Sequence, residues 1–219
     1  MTTFSRYYDE DGLLQETTMD ELEELIKDES NKALIANLIY HRYYDRYLKI
    51  FDYQDIDVKE YFDINGKKKK GSIFNTEYKN GFAMMVNCCL LIETVASFLK
   101  GTNKTENGGG REAYKTVFQK ATEYKNRLAD FEDEPIYGKI RCGLLHQGET
   151  YGRFKIRRDG LLFENNTINA TLFFKWLKNF LDSYRNDLSS PDTMWNDDIW
   201  DKCRDKLQYI IKHTRIEEE

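Results

Sequence analysis

The chain has 219 residues, of which 40% are hydrophobic and 14% aromatic, enough for one substantial core. Its net charge of -5 excludes a uniformly basic nucleic-acid-binding protein and leaves room for local basic segments. The sequence contains no continuous apolar run long enough to span a membrane, and its 4 Cys lack metal-binding spacing. We therefore expect buried free thiols in a reducing cytoplasm, with no metal or other cofactor and no membrane.

The N-terminal quarter contains two helical segments. Residues 1–17 have no clear periodicity, and we expect an irregular lead segment. Thr18 is a suitable N-cap for a short helix, because two acids, Asp20 and Glu21, follow it at the positive end. Residues 31–53 repeat apolar side chains every three or four positions, which predicts a long amphipathic helix.

The most apolar helix of the chain is predicted over residues 77–100, ending at a glycine. Before it, residues 54–76 break the helical pattern and indicate a loop or a hairpin with strands near 58–64 and 71–75. Glu93 is unusual within so apolar a helix. A buried carboxylate needs a partner, and Arg141 and Arg111 are the two candidates.

The second half of the chain alternates helices with one strand-like segment. Amphipathic helices are predicted over 111–131, 170–187 and 192–213, and another begins at Pro135 and ends near Gly148. The sequence from Tyr151 to Glu164 alternates apolar and basic residues about Asp159-Gly160, which predicts a β-hairpin. Its basic residues are Arg153, Lys155, Arg157 and Arg158.

These patterns predict a mainly α protein. We expect a helical bundle with a small β-hairpin inserted between the helix that ends near Gly148 and the helix that follows it. The 219 residues form one domain with a core over about 77–187. The N-terminal helices at 18–53 and the C-terminal helix at 192–213 pack on that core.

Arg141 and His146 are the strongest candidates for chemistry. Histidine exchanges protons near neutral pH, and arginine binds phosphate through parallel hydrogen bonds. Residues five apart on a regular helix lie about 140° apart, so the two side chains do not share one face. Either the helix is distorted, at Gly143 or at its end, or two copies of the helix meet about a two-fold axis and pool their side chains.

The segment Arg141-Cys-Gly-Leu-Leu-His146-Gln-Gly-Glu149 resembles the HEPN family of small helical bundles, which is common in prokaryotic toxin and antiphage systems. The family signature is an arginine, four to six residues and a histidine near the end of a late helix. The apolar segment 89–101 resembles the earlier core helix of the family with its single inward glutamate, Glu93. The resemblance covers about residues 77–187. Many members carry a polar residue directly after the arginine, where this chain has Cys142.

The resemblance implies a metal-independent endoribonuclease acting as a dimer with a shared site. His146 would act as general acid or base, Arg141 would stabilise the charge on the phosphate, and Glu93 would support them. The product would be a 2′,3′-cyclic phosphate, and DNA would be inert because it lacks the 2′-hydroxyl. The basic residues of the predicted hairpin would follow the RNA backbone, and an antitoxin or another defence protein is a further expected partner.

Two alternatives stay open at this stage. Cys142 in the motif is compatible with a non-catalytic HEPN-like module that binds RNA or nucleotides, or that only dimerises. The chain is also compatible with an unrelated helical protein, in which Arg141 and His146 are structural and Arg141 pairs with Glu93 in the core.

Overall fold

The computed structural model describes residues 2–9, 11–52, 60–62, 66–70, 81–102 and 109–214, and within these ranges the protein is mainly helical, as predicted. A single cluster of buried hydrophobic side chains extends from Phe4 to Ile211, so the N-terminal and C-terminal segments contribute to the same core as the central helices.

The N-terminal segment is a β-hairpin, and the expectation of an irregular lead was wrong. Strands β1 (Thr3–Tyr8) and β2 (Leu14–Thr18) pair antiparallel. The turn between them is held by the Asp9 carboxylate, which accepts a hydrogen bond from the backbone N–H of Leu13 at 2.8 Å. Phe4 is buried on the inner side, so the hairpin packs on the helices.

Helix α1 (Met19–Leu25) begins as the sequence predicts. The Thr18 hydroxyl accepts a hydrogen bond from the Glu21 N–H at 3.2 Å, and the Glu21 carboxylate accepts one from the Thr18 N–H at 2.8 Å. This reciprocal capping box satisfies two backbone donors at the helix start.

The predicted helix at 31–53 consists of three geometries. A single 3-10 turn at Glu29–Asn31 precedes α2 (Lys32–Tyr43), which continues as a π turn at Tyr44–Leu48 and a 3-10 turn at Lys49–Phe51. A π turn shifts the backbone hydrogen bonds from i→i+4 to i→i+5 and often marks a functional or strained position. A second one occurs in the helix that carries Arg141.

Strands β3 (Glu60–Phe62) and β4 (Lys68–Lys70) form the next antiparallel pair. The first lies within the predicted strand at 58–64. The second lies on the lysine run, because Tyr61 pairs with Lys69. The predicted strand at 71–75 and residues 77–80 of the following helix lie outside the described residues.

Helix α3 (Gly81–Lys100) is the central helix, with Met85, Cys88 and Ile92 fully buried. It is long and apolar enough to span a membrane by length and composition, and 56% of that stretch is buried inside the fold, as in the core helix of a soluble protein. Of the 4 Cys, three are buried as predicted and Cys142 is half-buried. Burial raises the pKa of Cys89 to about 12, so this thiol stays protonated at neutral pH.

The helix predicted over 111–131 is interrupted. Helix α4 (Gly110–Glu123) ends before Lys125, whose φ of 52° places it in the left-handed region. The Asn126 side chain then caps a 3-10 turn at Arg127–Phe131 through the N–H of Leu128 at 2.9 Å.

The helix that carries the motif starts after Pro135, as predicted. It consists of a π turn at Tyr137–Arg141 followed by α5 (Cys142–Gln147). Gly148 ends it with a φ of 72°, a left-handed conformation that favours glycine.

The strands after the motif helix pair differently from the predicted hairpin at 151–164. Strand β5 (Lys155–Arg157) pairs in parallel with β7 (Thr167–Asn169), which pairs antiparallel with β6 (Phe163–Glu164). Gly160 does make the predicted turn, with a φ of 80°, but β7 lies between the two strands that this turn connects. The small sheet still lies between the motif helix and the next helix.

Two long helices complete the fold. Helix α6 (Ala170–Ser189) is capped by the Asn169 side chain, which accepts a hydrogen bond from the Leu172 N–H at 3.1 Å. Helix α7 (Asp198–Thr214) starts six residues later than predicted, after turns at 191–197.

Candidate active site

Arg141 and Glu93 form an ion pair between the motif helix and α3. The guanidinium donates from Nε to one carboxylate oxygen at 2.5 Å and from an Nη to the other at 3.2 Å. Side-chain exposure is 19% for Arg141 and 18% for Glu93, so the pair is shielded but open at one side. Of the two candidate partners for Glu93, the structure selects Arg141, whereas Arg111 is exposed on α4.

The ion pair leaves part of the guanidinium for other acceptors. A guanidinium carries five N–H groups, and Glu93 accepts from two of them. Burial by itself would lower the pKa of Arg141, and the hydrogen bond and charge of Glu93 more than offset this and raise it. Arg141 is therefore a fixed cation. An Arg–Glu ion pair by itself is equally consistent with a structural role. The N–H groups that Glu93 leaves unused are what make Arg141 suited to binding a phosphate.

Tyr137 borders the guanidinium on another side. Its ring centroid lies 5.4 Å from the Cζ of Arg141, a cation–π contact, and its ring meets the edge of Tyr114 at 5.5 Å. Burial, reinforced by Cys142, raises the pKa of Tyr137, so its phenol is neutral at physiological pH.

His146 lies on a different side of the motif helix from Arg141. It is exposed in the last turn of α5. Arg141 is the last residue of the π turn and His146 lies in the regular α-helix Cys142–Gln147, so at regular helical spacing the two side chains diverge by about 140°. Within one chain, the structure does not bring the predicted pair together on one face.

Gly143 does not loosen the helix between them. A Cβ atom at Gly143 would overlap the backbone carbonyl oxygen of Glu149, which passes directly over this position. The helix distortion lies earlier, in the π turn that ends at Arg141. Gly143 thus allows the segment after His146 to fold back against the helix.

The returning segment is also bound at Lys139. The Tyr151 N–H donates to the Lys139 carbonyl at 2.8 Å. Gly152, with a φ of 64°, lies against the Lys139 side chain, because a Cβ there would be 3.3 Å from its Nζ. The adjacent Arg153 also has a positive φ, 65°, and is exposed. Lys139 and Arg153 therefore place two cations on the side of the helix that the returning segment covers.

Strand β5 presents further basic residues. Lys155 and Arg157 are exposed on one face of the strand, and Ile156 between them packs inward, which confirms the predicted alternation. Arg158 is half-buried and its Nε donates to the Thr171 hydroxyl at 3.2 Å, so it lies against α6. Phe154 is buried and stacks on Phe163 at 6.1 Å, which places it in the core.

The basic strand and the ion pair lie at different levels of α3. Gly81, the first residue of α3, packs against Ile156 and Arg158. Glu93 follows twelve residues later, which corresponds to about 18 Å along the helix. Twelve residues also rotate the helix by about 120° beyond full turns, so the Arg141 guanidinium and the basic strand contact α3 at different levels and on different sides.

Among the residues that the structure describes, no three His, Cys, Asp or Glu side chains come close enough together to hold a metal ion. Sequence reasoning did not single out Tyr137 or Gly110, which contact each other beside Arg141. The spacing of Tyr137, four residues before Arg141, is the signal that points to a shared helix face.

Compared with models of protein families, with curated protein sequences and with solved structures, the chain matches none of them. The HEPN resemblance therefore rests on the Arg141–His146 motif and the Glu93 helix alone, and it stays a prediction.

Proposed function

We propose that this protein is a metal-independent endoribonuclease with the HEPN-type fold that its motif resembles. The observation that carries the proposal is the Arg141 guanidinium. It is fixed by Glu93, retains N–H groups without a partner among the described residues, and lies five residues before the exposed His146. A fixed cation with spare donors suits a phosphate whose charge grows during reaction.

The reaction is an attack of the ribose 2′-oxygen on the adjacent phosphorus. A base removes the proton of the 2′-hydroxyl, the P–O2′ bond forms, and the P–O5′ bond breaks as an acid protonates the leaving 5′-oxygen. The products are a 2′,3′-cyclic phosphate and a 5′-hydroxyl end. His146 supplies the imidazole, and Arg141 binds the non-bridging phosphate oxygens.

Two copies of the chain supply what one copy lacks. The reaction needs both a base and an acid, and each chain offers one motif histidine that diverges from its own Arg141. A two-fold axis beside the motif helix brings two His146 side chains and two Arg141 side chains into one cleft. One imidazole then acts as base and the other as acid.

An apolar stripe on α3 supports such a dimer. Phe82 and Leu90 are 42% and 37% exposed, and Val86 between them is half-buried. Spaced four residues apart, the three side chains follow one face of the helix towards Glu93. Exposed apolar residues in a row are typical of a surface that packs against another protein.

Cleavage of RNA in excess EDTA tests the proposal. We expect the wild-type chain to cut RNA into fragments with cyclic phosphate ends and to leave the matching DNA intact. Lys178→Met, which removes another partly buried ion-pair cation, is the matched control and should retain activity. Equal residual cleavage by wild type, Arg141→Met and His146→Ala would assign the activity to a contaminant and refute the proposal.

The dimer has its own test. Leu90→Arg introduces a charge on the α3 stripe and should shift the protein from dimer to monomer in sedimentation while reducing cleavage. Ile50→Arg is the control, because Ile50 is 71% exposed on a different element. A wild-type monomer at assay concentration would contradict the shared cleft.

A second candidate function is RNA binding without cleavage, and the observation that favours it is Cys142. The residue after Arg141 is a half-buried thiol, a weak hydrogen-bond donor and acceptor, so it does not offer a strong polar group to substrate. A gel shift with intact RNA, weakened by Lys155→Ala with Arg157→Ala and accompanied by no products, would identify this function.

A further inference from the structure

The Tyr137 ring packs in a space that exists only because residue 110 is a glycine. Its ring lies against Gly110, the first residue of α4, and a Cβ at that position would overlap the Cε2, Cζ and hydroxyl oxygen of the tyrosine. Gly110 has no positive φ, so the reason for glycine here is space rather than backbone conformation. The absence of a side chain on α4 thus creates the site that holds the Tyr137 ring.

One further contact fixes the orientation of the ring. Tyr114 meets it at an interplanar angle of 68°, and the Tyr114 hydroxyl itself donates to the Cys89 carbonyl at 3.2 Å. The ring is therefore confined by Gly110 and Tyr114 of α4, and Tyr114 is in turn held by α3.

The confined ring complements the hold that Glu93 has on Arg141. The two hydrogen bonds to Glu93 fix the guanidinium within its own plane. The cation–π contact with the Tyr137 ring, at 5.4 Å, attracts the guanidinium in a direction that the Glu93 carboxylate does not supply. Together they restrict both the position and the tilt of the N–H groups that Glu93 does not use.

We propose that Tyr137 is the positioning residue of this site, and that its ring, seated on Gly110, aims the guanidinium of Arg141 at the phosphate. The assignment rests on the proposed ribonuclease function, in which the direction of those N–H groups decides how well they meet the reacting phosphate. Displacements of about 1 Å at such a group cost up to about 10²-fold in rate.

Two measurements on the full-length chain test the assignment. The first is the exchange rate of the Arg141 Nε–H with water, followed by nitrogen-15 NMR, which reports how firmly the guanidinium is held whether or not RNA is cut. The second is kcat and KM for RNA cleavage. Tyr137→Leu should speed the exchange and lower kcat about tenfold with little change in KM. Tyr137→Phe keeps the ring and should restore most of both values.

Gly110→Ala reaches the same ring from another helix. Its Cβ displaces Tyr137 without altering it, so both measurements should move in the direction of Tyr137→Leu. Tyr44→Leu is the matched control. Tyr44 also starts a π turn, and its ring centroid lies 5.4 Å from the Nζ of Lys178, yet its loss should leave Arg141 exchange and cleavage unchanged.

Unchanged Arg141 exchange in folded Tyr137→Leu and Gly110→Ala overturns the assignment. An equal loss of kcat in Tyr137→Phe and Tyr137→Leu also overturns it, because the hydroxyl rather than the ring would then matter. If exchange accelerates as expected but the wild-type chain cuts no RNA, the hold on Arg141 stands and the ribonuclease proposal fails.

Discussion

The two π turns of this protein carry similar groups in different arrangements. Each begins with a tyrosine whose ring lies 5.4 Å from a cation, and beside each the cation forms an ion pair. In the first, Lys178 of α6 binds Asp52, which also accepts a hydrogen bond from the Tyr44 hydroxyl at 2.7 Å. In the second, the cation is Arg141 itself, the last residue of the turn.

The difference between the Lys178–Asp52 and Arg141–Glu93 pairs indicates which of them is suited to catalysis. The Lys178 ammonium is a compact charge that bridges Asp52 and the Tyr44 ring, so it ties α6 to the end of the α2 segment. The Arg141 guanidinium is planar and keeps donors that Glu93 does not engage. Its turn also runs directly into the helix with the exposed His146. We therefore expect the first pair to be structural and propose a catalytic role for the second.

The largest expected effect is that of removing His146. His146→Ala should reduce RNA cleavage about 10³-fold, because it removes the group that moves the proton. The side chain is exposed, so the free energy of unfolding should change by less than about 0.5 kcal/mol. Urea unfolding and a cleavage time course check both values. If His146→Ala also lowered the free energy of unfolding strongly, the lost cleavage would follow from unfolding, and the proton-transfer role would be contradicted.

Breaking the two ion pairs from the cationic side should separate their roles. Arg141→Met should lower cleavage about 10²-fold, since it removes the donors to the phosphate. Lys178→Met should leave cleavage within about twofold while still destabilising the fold. The cleavage rates of the two variants are compared on equally folded samples. Equal rates would contradict the different roles of the two ion pairs.

Replacing the carboxylate of each ion pair by an amide should separate the roles of the two pairs less strongly. Glu93→Gln keeps the shape of the side chain and weakens the hold on Arg141, so we expect about tenfold slower cleavage. The loss in stability should be about 1–2 kcal/mol, since the pair is partly buried. Asp52→Asn should cost similar stability without the loss in rate. Should Glu93→Gln cleave RNA at the wild-type rate, Glu93 would be only structural.

The smallest expected effect concerns two glycines of the motif helix. Gly143→Ala should cost about 1–3 kcal/mol of stability, because its Cβ meets a backbone carbonyl that has no room to move. Gly138→Ala meets no atom within 4 Å and should be neutral or stabilise by up to about 1 kcal/mol. Thermal unfolding of the two variants checks this prediction. Equal melting temperatures would contradict the close approach of the Glu149 carbonyl to Gly143.

Local signals predicted the helices well. The apolar repeat, the cap at Thr18 and the end at Gly148 depend on neighbouring residues, so they are readable in one sequence. Features that depend on distant parts of the chain were not predicted. Strand β7 separates β5 from β6 through a parallel pairing, and the two-residue turn at Asn165-Asn166, with φ values of 49° and 58°, was the missed local signal for it.

The candidate site was predictable only in part. The choice of Arg141 and His146 came from residue chemistry, whereas the partner of Glu93 depended on how two helices 48 residues apart cross. The π turn at Tyr137–Arg141 spans only five residues, too few for a periodicity to reveal it. The seat of Tyr137 on Gly110 requires the packing of α4 against the motif helix, which a sequence pattern does not contain.

A mixing experiment tests the shared ribonuclease site most directly. Wild-type chains are unfolded together with an equal amount of chains that carry both Arg141→Met and His146→Ala, refolded and assayed for RNA cleavage in EDTA. About half of the dimers are then mixed and hold a single His146, which leaves the reaction without either its base or its acid, so cleavage should fall to about half of that of the same amount of wild-type chain refolded alone. Cleavage equal to that of the wild-type chain alone would contradict a site built from two copies.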